Sequence, residues 1–413
     1  MPHDHEPMTP RMRRLVLSVL IPAVVLTALG MLLLWPHGTD RPGDGGGAIE
    51  VTGQVVAVTP AACPEVELPQ GETSAAPTEC GTVSVRLTEG DRSGDTVETD
   101  IPAGPGAITV EPGDDIVLLH LEESFSGREY TIGDHQRGFE LWVLGAAVAL
   151  AVIAFGRWRG LRALAGLAVT FAVLLIFVVP AILDGRQPLL VAVVGAAAIM
   201  LTVLYLTHGF TLPTTVAVAG TLIALTITAV LSALFTGYIH LNGVADEATS
   251  FLSISQGDVN MRGLLLAGIV IGALGVLDDV TVTQAETVRE LAVANPRYGF
   301  RELYRAATRV GRAHIASVVN TIVLAYAGAS LPLMLLFAVG DTPVSRLLTG
   351  QPIAEELVRA GVGTLGLIAA VPITTALAAW LSVRAATPPA ERSAPPDESP
   401  WMAFIDDEPA KER

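Results

Sequence analysis

Eight stretches of this chain are too long and too apolar for a water-soluble fold. They cover residues 15–35, 139–156, 163–183, 188–207, 214–235, 263–284, 314–339 and 357–383. The hydrocarbon core of a bilayer is about 30 Å thick and takes roughly 20 residues of α-helix to cross. Inside it, backbone polar groups must be paired without help from water, which favours a helix for each run. The predicted fold class is a polytopic α-helical membrane protein of about eight spans. Charge content agrees: 16% of residues are charged, against roughly 25% in a soluble domain.

Arginine predicts the orientation, because short cytoplasmic loops carry the excess of basic residues. Arg11, Arg13 and Arg14 precede the first run. Arg157, Arg159 and Arg162 follow the second. Arg289, Arg297, Arg301, Arg305, Arg309 and Arg312 fill the stretch between the sixth and seventh, and Arg384 follows the eighth. An even number of spans puts all of these on one side, with both termini in the cytoplasm. Trp35, Trp142, Trp158 and Trp380 sit near expected helix ends, as an interfacial aromatic belt would. The expected organisation is a cytoplasmic tail (1–14), an anchor helix (15–35), an extracytoplasmic domain (36–138), a seven-helix membrane core (139–383) and a disordered tail (384–413). The first run is read as an uncleaved anchor, being long for a signal-peptide core and lacking a clean small-x-small site.

Residues 36–138 hold 19 acidic residues and five arginines, so most of the net charge of −16 belongs here. That acidity argues against nucleic acid as a partner. Short runs rich in Val, Thr and Ile occur at 50–58, 82–88, 96–101, 115–121 and 129–132, divided by turns such as Glu111-Pro112-Gly113-Asp114. They predict a small β-barrel-like domain of OB or SH3-like type. The chain's two cysteines, Cys63 and Cys80, lie in this domain. Outside the cytoplasm they are expected to form a disulfide. It would close a loop of about 18 residues, worth roughly 3 kcal/mol.

The sixth run carries the candidate site. Gly268, Gly272, Gly275, Asp279 and Thr283 fall at helical spacing on one stripe. Small residues on a stripe let a second helix approach closely, so Gly268, Gly272 and Gly275 are read as a packing face. An ionisable residue within a span is a functional candidate by default. Counting 1.5 Å per residue, Asp279 lies about 24 Å below Gly263, and Asn320 on the returning helix lies about 9 Å above His314. The two therefore fall at comparable depth, with Ser317 and Thr321 about one turn away. These residues suit a proton or cation position on a translocation route. Interhelical hydrogen bonding, or a wet helix end, would place the same residues there. Asp278, rotated about 100° from the stripe, ranks below Asp279.

No phosphate-binding Gly-Lys-Ser/Thr loop and no His-Glu-x-x-His motif is present. No enzymatic activity, cofactor or metal site is expected. His3, His5, His208 and His240 read as solvated tail or loop residues. Pro180, Pro332 and Pro372 predict kinks within spans.

The stretches 262–280, Gly311-Arg312 and 320–332, with the Arg159–Arg162 loop and Asn295-Pro296, resemble the YibE/F family of bacterial multipass membrane proteins. The resemblance extends over most of residues 48–340, including an outer β-rich segment. It implies that Asp279 matches the family's aspartate while Asp278 stands where an apolar residue is expected. The acidic insert 61–81 departs from the family pattern, so the resemblance carries no disulfide. It implies a multipass membrane protein without a defined substrate.

The expected function is a secondary permease or exporter of a small solute or ion in the bacterial plasma membrane, with the lipid bilayer as its surroundings and a solute, proton or cation as its cargo. A scaffold that presents the outer domain to an envelope protein is the alternative.

Overall fold

The computed structural model describes residues 10–38, 49–61, 80–102, 107–120, 129–257, 259–339 and 343–385. The chain divides into two compact units: Thr39–Leu161, and Met1–Gly38 with Arg162–Arg413. Cys63 and residues 386–413 of the expected tail 384–413 lie outside the described residues, while 384–385 end the last helix.

The first unit contains five strands, β1 (Ile49–Ala61), β2 (Cys80–Leu87), β3 (Thr96–Asp100), β4 (Asp115–His120) and β5 (Tyr130–His135). They form one open antiparallel sheet in the order β3-β2-β1-β4-β5. All five apolar runs anticipated from sequence become strands. Period-2 alternation turns Val83, Val85 and Leu87 inward with Val55, Ile116 and Leu118, giving this unit its own core. The turn at 111–114 forms as expected. Gly113 takes φ +104°, and the Asp114 carboxylate accepts from the Glu111 N–H at 2.8 Å. The Thr99 hydroxyl donates to the Tyr130 carbonyl at 2.8 Å, linking the two edge strands. Cys80 faces Ala61 in the β1–β2 register, two positions in sequence from Cys63. A helix, α2 (Gly138–Gly156), completes the unit.

The second unit is helical. It comprises α1 (Pro10–Leu33), most of α3 (Trp158–Val173), a π-helical turn (Leu174–Val178), α4 (Val179–Leu183), α5 (Pro188–His208), α6 (Leu212–Tyr238), α7 (Glu247–Ser255), α8 (Met261–Ala294), α9 (Phe300–Ala329), α10 (Leu331–Val339), α11 (Val344–Thr349) and α12 (Gln351–Ala385). Over the whole chain, eight helices among the described residues are long and apolar enough to cross a membrane. Helices α5, α6, α8 and α12 share the central core, built on residues such as Met200, Leu204, Leu225, Leu277 and Leu367.

Three expectations need correction. The arginine-rich stretch between the sixth and seventh spans is helical except for residues 295–299. Leu303, Ala307 and Gly311 repeat at four-residue spacing and are buried, while the arginines occupy another face. A hydropathy window averages the two faces and misses this pattern. The expected span 314–339 breaks at Ser330, because Pro332 fits the first turn of a new helix better than a helix interior. Pro180 likewise stands in the first turn of α4, directly after the π-helical turn; Pro372 remains inside α12.

The segment joining α6 to α8 contains α7, capped by Asp246. The Asp246 carboxylate accepts from the Thr249 N–H and hydroxyl, both at 2.7 Å, and the Asp246 N–H donates back to the Thr249 hydroxyl oxygen at 3.1 Å, which closes a capping box. The backbone bond first, and then the hydroxyl, hold this carboxyl below the usual range. A depressed carboxyl stabilises the fold above its unfolded pKa, and the effect is lost as pH falls through the folded value. Asp246→Ala should therefore cost α7 about 1 kcal/mol, read as faster amide exchange across 247–255. Asp246→Asn should keep most of the protection and lose its acid sensitivity. Unchanged exchange in the alanine variant would remove the cap's role.

Candidate functional site

Helix α8 sets the geometry. Its buried face carries Ile269, Val270, Ala273, Leu277, Val280, Thr281, Gln284 and Val288. Leu277 lies nine residues beyond Gly268, which is two and a half turns and so the opposite side of the helix. The glycine-aspartate stripe thus points away from the central core. Gly268, Gly272 and Gly275 are all exposed, and a Cβ built on Gly268 or Gly275 would meet nothing within 4 Å. The close helix approach expected along this stripe is absent among the described residues.

Close approach occurs instead between α6 and α12. A Cβ on Gly220 would fall 2.2 Å from the Thr374 hydroxyl, and one on Gly366 would fall 2.0 Å from the Thr228 hydroxyl. Thr221, Thr228, Ser232 and Thr236 form a fully buried polar stripe along α6. The Thr221 and Thr281 hydroxyls share a hydrogen bond of 2.6 Å between α6 and α8. The Gln284 amide donates to the Ala307 carbonyl at 2.9 Å, tying α8 to α9. This stripe had a sequence signal: offsets of 7, 11 and 15 from Thr221 define one helical face in an otherwise apolar run.

Beside the core residues Leu277 and Leu367, α8, α9 and α12 border an open-sided cavity of about 440 Å³. Gly272, Gly275 and Asp279 line it from α8, Ser317, Thr321 and Tyr326 from α9, and Arg359 and Gly363 from α12. Asp279 marks one end and has 70% of its side chain exposed. Its Oδ2 lies 3.9 Å from Nε2 of His314. Arg359 is near the other end, 6.0 Å from the Tyr326 ring centroid and paired with Glu356 at 3.1 Å. Gly272 and Asp279 are seven residues apart, so the lining runs about 10 Å along α8.

Three expected site residues, Asp279, Ser317 and Thr321, therefore meet at one cavity. Asn320 and Thr283 are exposed and do not line it. The cavity face of α9 carries Ser317, Val318, Thr321, Ile322 and Ala325, and Asn320 is rotated about 100° from Thr321. His314, not Asn320, stands beside Asp279. Asp278 stands off the glycine stripe. It turns toward the buried face, and its Oδ1 is buried without a hydrogen bond among the described residues. Glu356 fell just outside the expected last span (357–383) and Arg359 just inside its start, and neither was read as a site residue; the pattern Glu355-Glu356-x-x-Arg359 was the available signal.

Eight candidate spans, a separate small antiparallel sheet and a polar-ended cavity between helices define a multipass membrane protein. The chain belongs to the YibE/F-like protein family, whose model matches residues 144–384. The match covers the helices from within α2 onward and leaves out α1 and the β-sheet, the latter of which the resemblance was expected to include. No curated protein and no solved structure matches the chain.

Proposed function

We propose that this protein is a secondary permease or exporter of a small solute or ion in the bacterial plasma membrane, with both termini cytoplasmic. It acts without enzymatic chemistry. The observation that carries the reading is the cavity that brings Asp279, Ser317 and Thr321 together with Arg359 at a membrane-helix interface. A carboxylate within a span is costly unless it serves a pathway or meets water. The partial exposure of Asp279 and its position beside His314 support a role in binding a cation or proton. The arginine distribution supports the orientation.

The β-unit is read as a partly open barrel at the outer face, closed by the Thr99–Tyr130 bond between its edges. Its register supports a Cys63–Cys80 disulfide. A second reading, a scaffold presenting this unit to an envelope protein, is favoured by its separate core and its position outside the family match.

Proteoliposomes containing the full chain should show a proton- or cation-coupled flux. Asp279→Asn should reduce it to the level of empty liposomes while the melting temperature in detergent is retained. Unchanged flux in that variant would exclude Asp279 from coupling, and absence of flux in the parent protein would favour the scaffold.

A further inference from the structure

We infer that the first turns of α9 form a binding surface for anionic phospholipid headgroups. Arg301, Arg305, Arg309 and Arg312 occupy offsets 0, 4, 8 and 11 on this helix. At 100° per residue they fall within about 80° of arc. All four are exposed, and none makes an ion pair among the described residues. Arg289, across the α8–α9 turn, shows the contrast: it is held by both Glu286 and Glu290 at 2.7 and 2.6 Å.

The opposite face of these turns is already used. Leu303, Ala307 and Gly311 are buried, and the Ala307 carbonyl accepts from Gln284. This fixes the rotation of the helix and keeps the four guanidinium groups on the outside. The cavity face of α9 lies elsewhere, so the arginines take no part in the candidate site.

The same helix continues directly into its apolar span. Arg312 therefore stands at the edge of the hydrocarbon, with Arg309 about 4.5 Å farther out, Arg305 about 10 Å and Arg301 about 16 Å. A headgroup layer about 5 to 8 Å thick on each side receives the first two. The outer pair still feels the surface potential, which decays over a Debye length of about 8 to 10 Å. A planar guanidinium donates to two phosphate oxygens at once, so arginine suits this ligand better than a point charge would. The inference needs the membrane placement of α9 and is independent of transport.

The test uses the full chain in mild detergent. Its melting temperature is followed while phosphatidylglycerol, phosphatidylcholine or soluble glycerophosphate is added. Phosphatidylglycerol should raise it by several degrees, and the other two should not. Arg309→Gln with Arg312→Gln should lose more than half of that shift. Arg301→Gln with Arg305→Gln should lose less, and Arg309→Lys with Arg312→Lys should retain most of it, which separates charge loss from misfolding. An undiminished lipid response in the inner glutamine pair would overturn the inference. Equal stabilisation by glycerophosphate would do the same, since it indicates a free-phosphate site. A dominant effect of the outer pair would indicate a soluble polyanion instead.

Discussion

Gly366→Val should destabilise the helical unit by on the order of 3 kcal/mol, the upper range for overpacking a filled interior. The reason is local. A Cβ at this position would fall 2.0 Å from the Thr228 hydroxyl and 3.3 Å from its Cβ. Thr228 is fully buried on α6, and its hydroxyl donates to the Ala224 carbonyl at 2.9 Å. Making room requires Thr228 to leave that χ1 well and give up the bond, or α12 to move off α6. Thr228→Ala removes the obstructing atoms and should restore at least half of the loss in the double variant. Gly220→Val should behave alike against Thr374, with costs that add, since the two contacts are about 12 Å apart along α6. Thermal unfolding in detergent reads all of these. A Gly366→Val protein as stable as its parent would mean that α6 and α12 do not approach as described.

Gly275→Leu should have the opposite profile, with the fold intact and transport lost. No atom lies within 4 Å of a Cβ at Gly275, so the substitution displaces nothing. Replacing glycine within a helix gains up to about 1 kcal/mol in backbone propensity. The new side chain would project into the cavity one turn from Asp279. Flux should fall to background while the melting temperature stays level or rises. Gly268→Leu provides the comparison, being on the same stripe but outside the lining. It should leave flux unchanged. Full transport through the Gly275→Leu protein would show that the route bypasses this cavity, whatever Asp279 does.

Much of the architecture could be read from residues alone, because bilayer thickness and strand periodicity are strong constraints. The long apolar runs became helices and the Val/Thr/Ile runs became strands. Helix rotation was harder. A glycine stripe has two physical meanings, a close packing face or an open groove, and spacing is the same for both. On α8 the polar Thr281 and Gln284 face inward, and Gly272 and Gly275 open a cavity. Asp279, Ser317 and Thr321 could be grouped by depth, since rise per residue fixes depth. Asn320 was misplaced by a rotation of about 100°, which depth does not report. Gly361, Gly363 and Gly366 suggest close packing of the last helix by their spacing, but the partner of Gly366 was hidden: the contact with Thr228 depends on which helices become neighbours across more than a hundred residues of chain.

The length of α8 has a mechanical consequence. Its 34 residues span about 51 Å, roughly 20 Å more than the hydrocarbon thickness. Together with the start of α9 it makes a stiff arm rising from the bilayer surface, braced by the Gln284 bond near its base. A tilt of about 10° at the exit point would swing the far end through roughly 3.5 Å, given that overhang. Small motions around the cavity would thus be magnified at the far end of the arm.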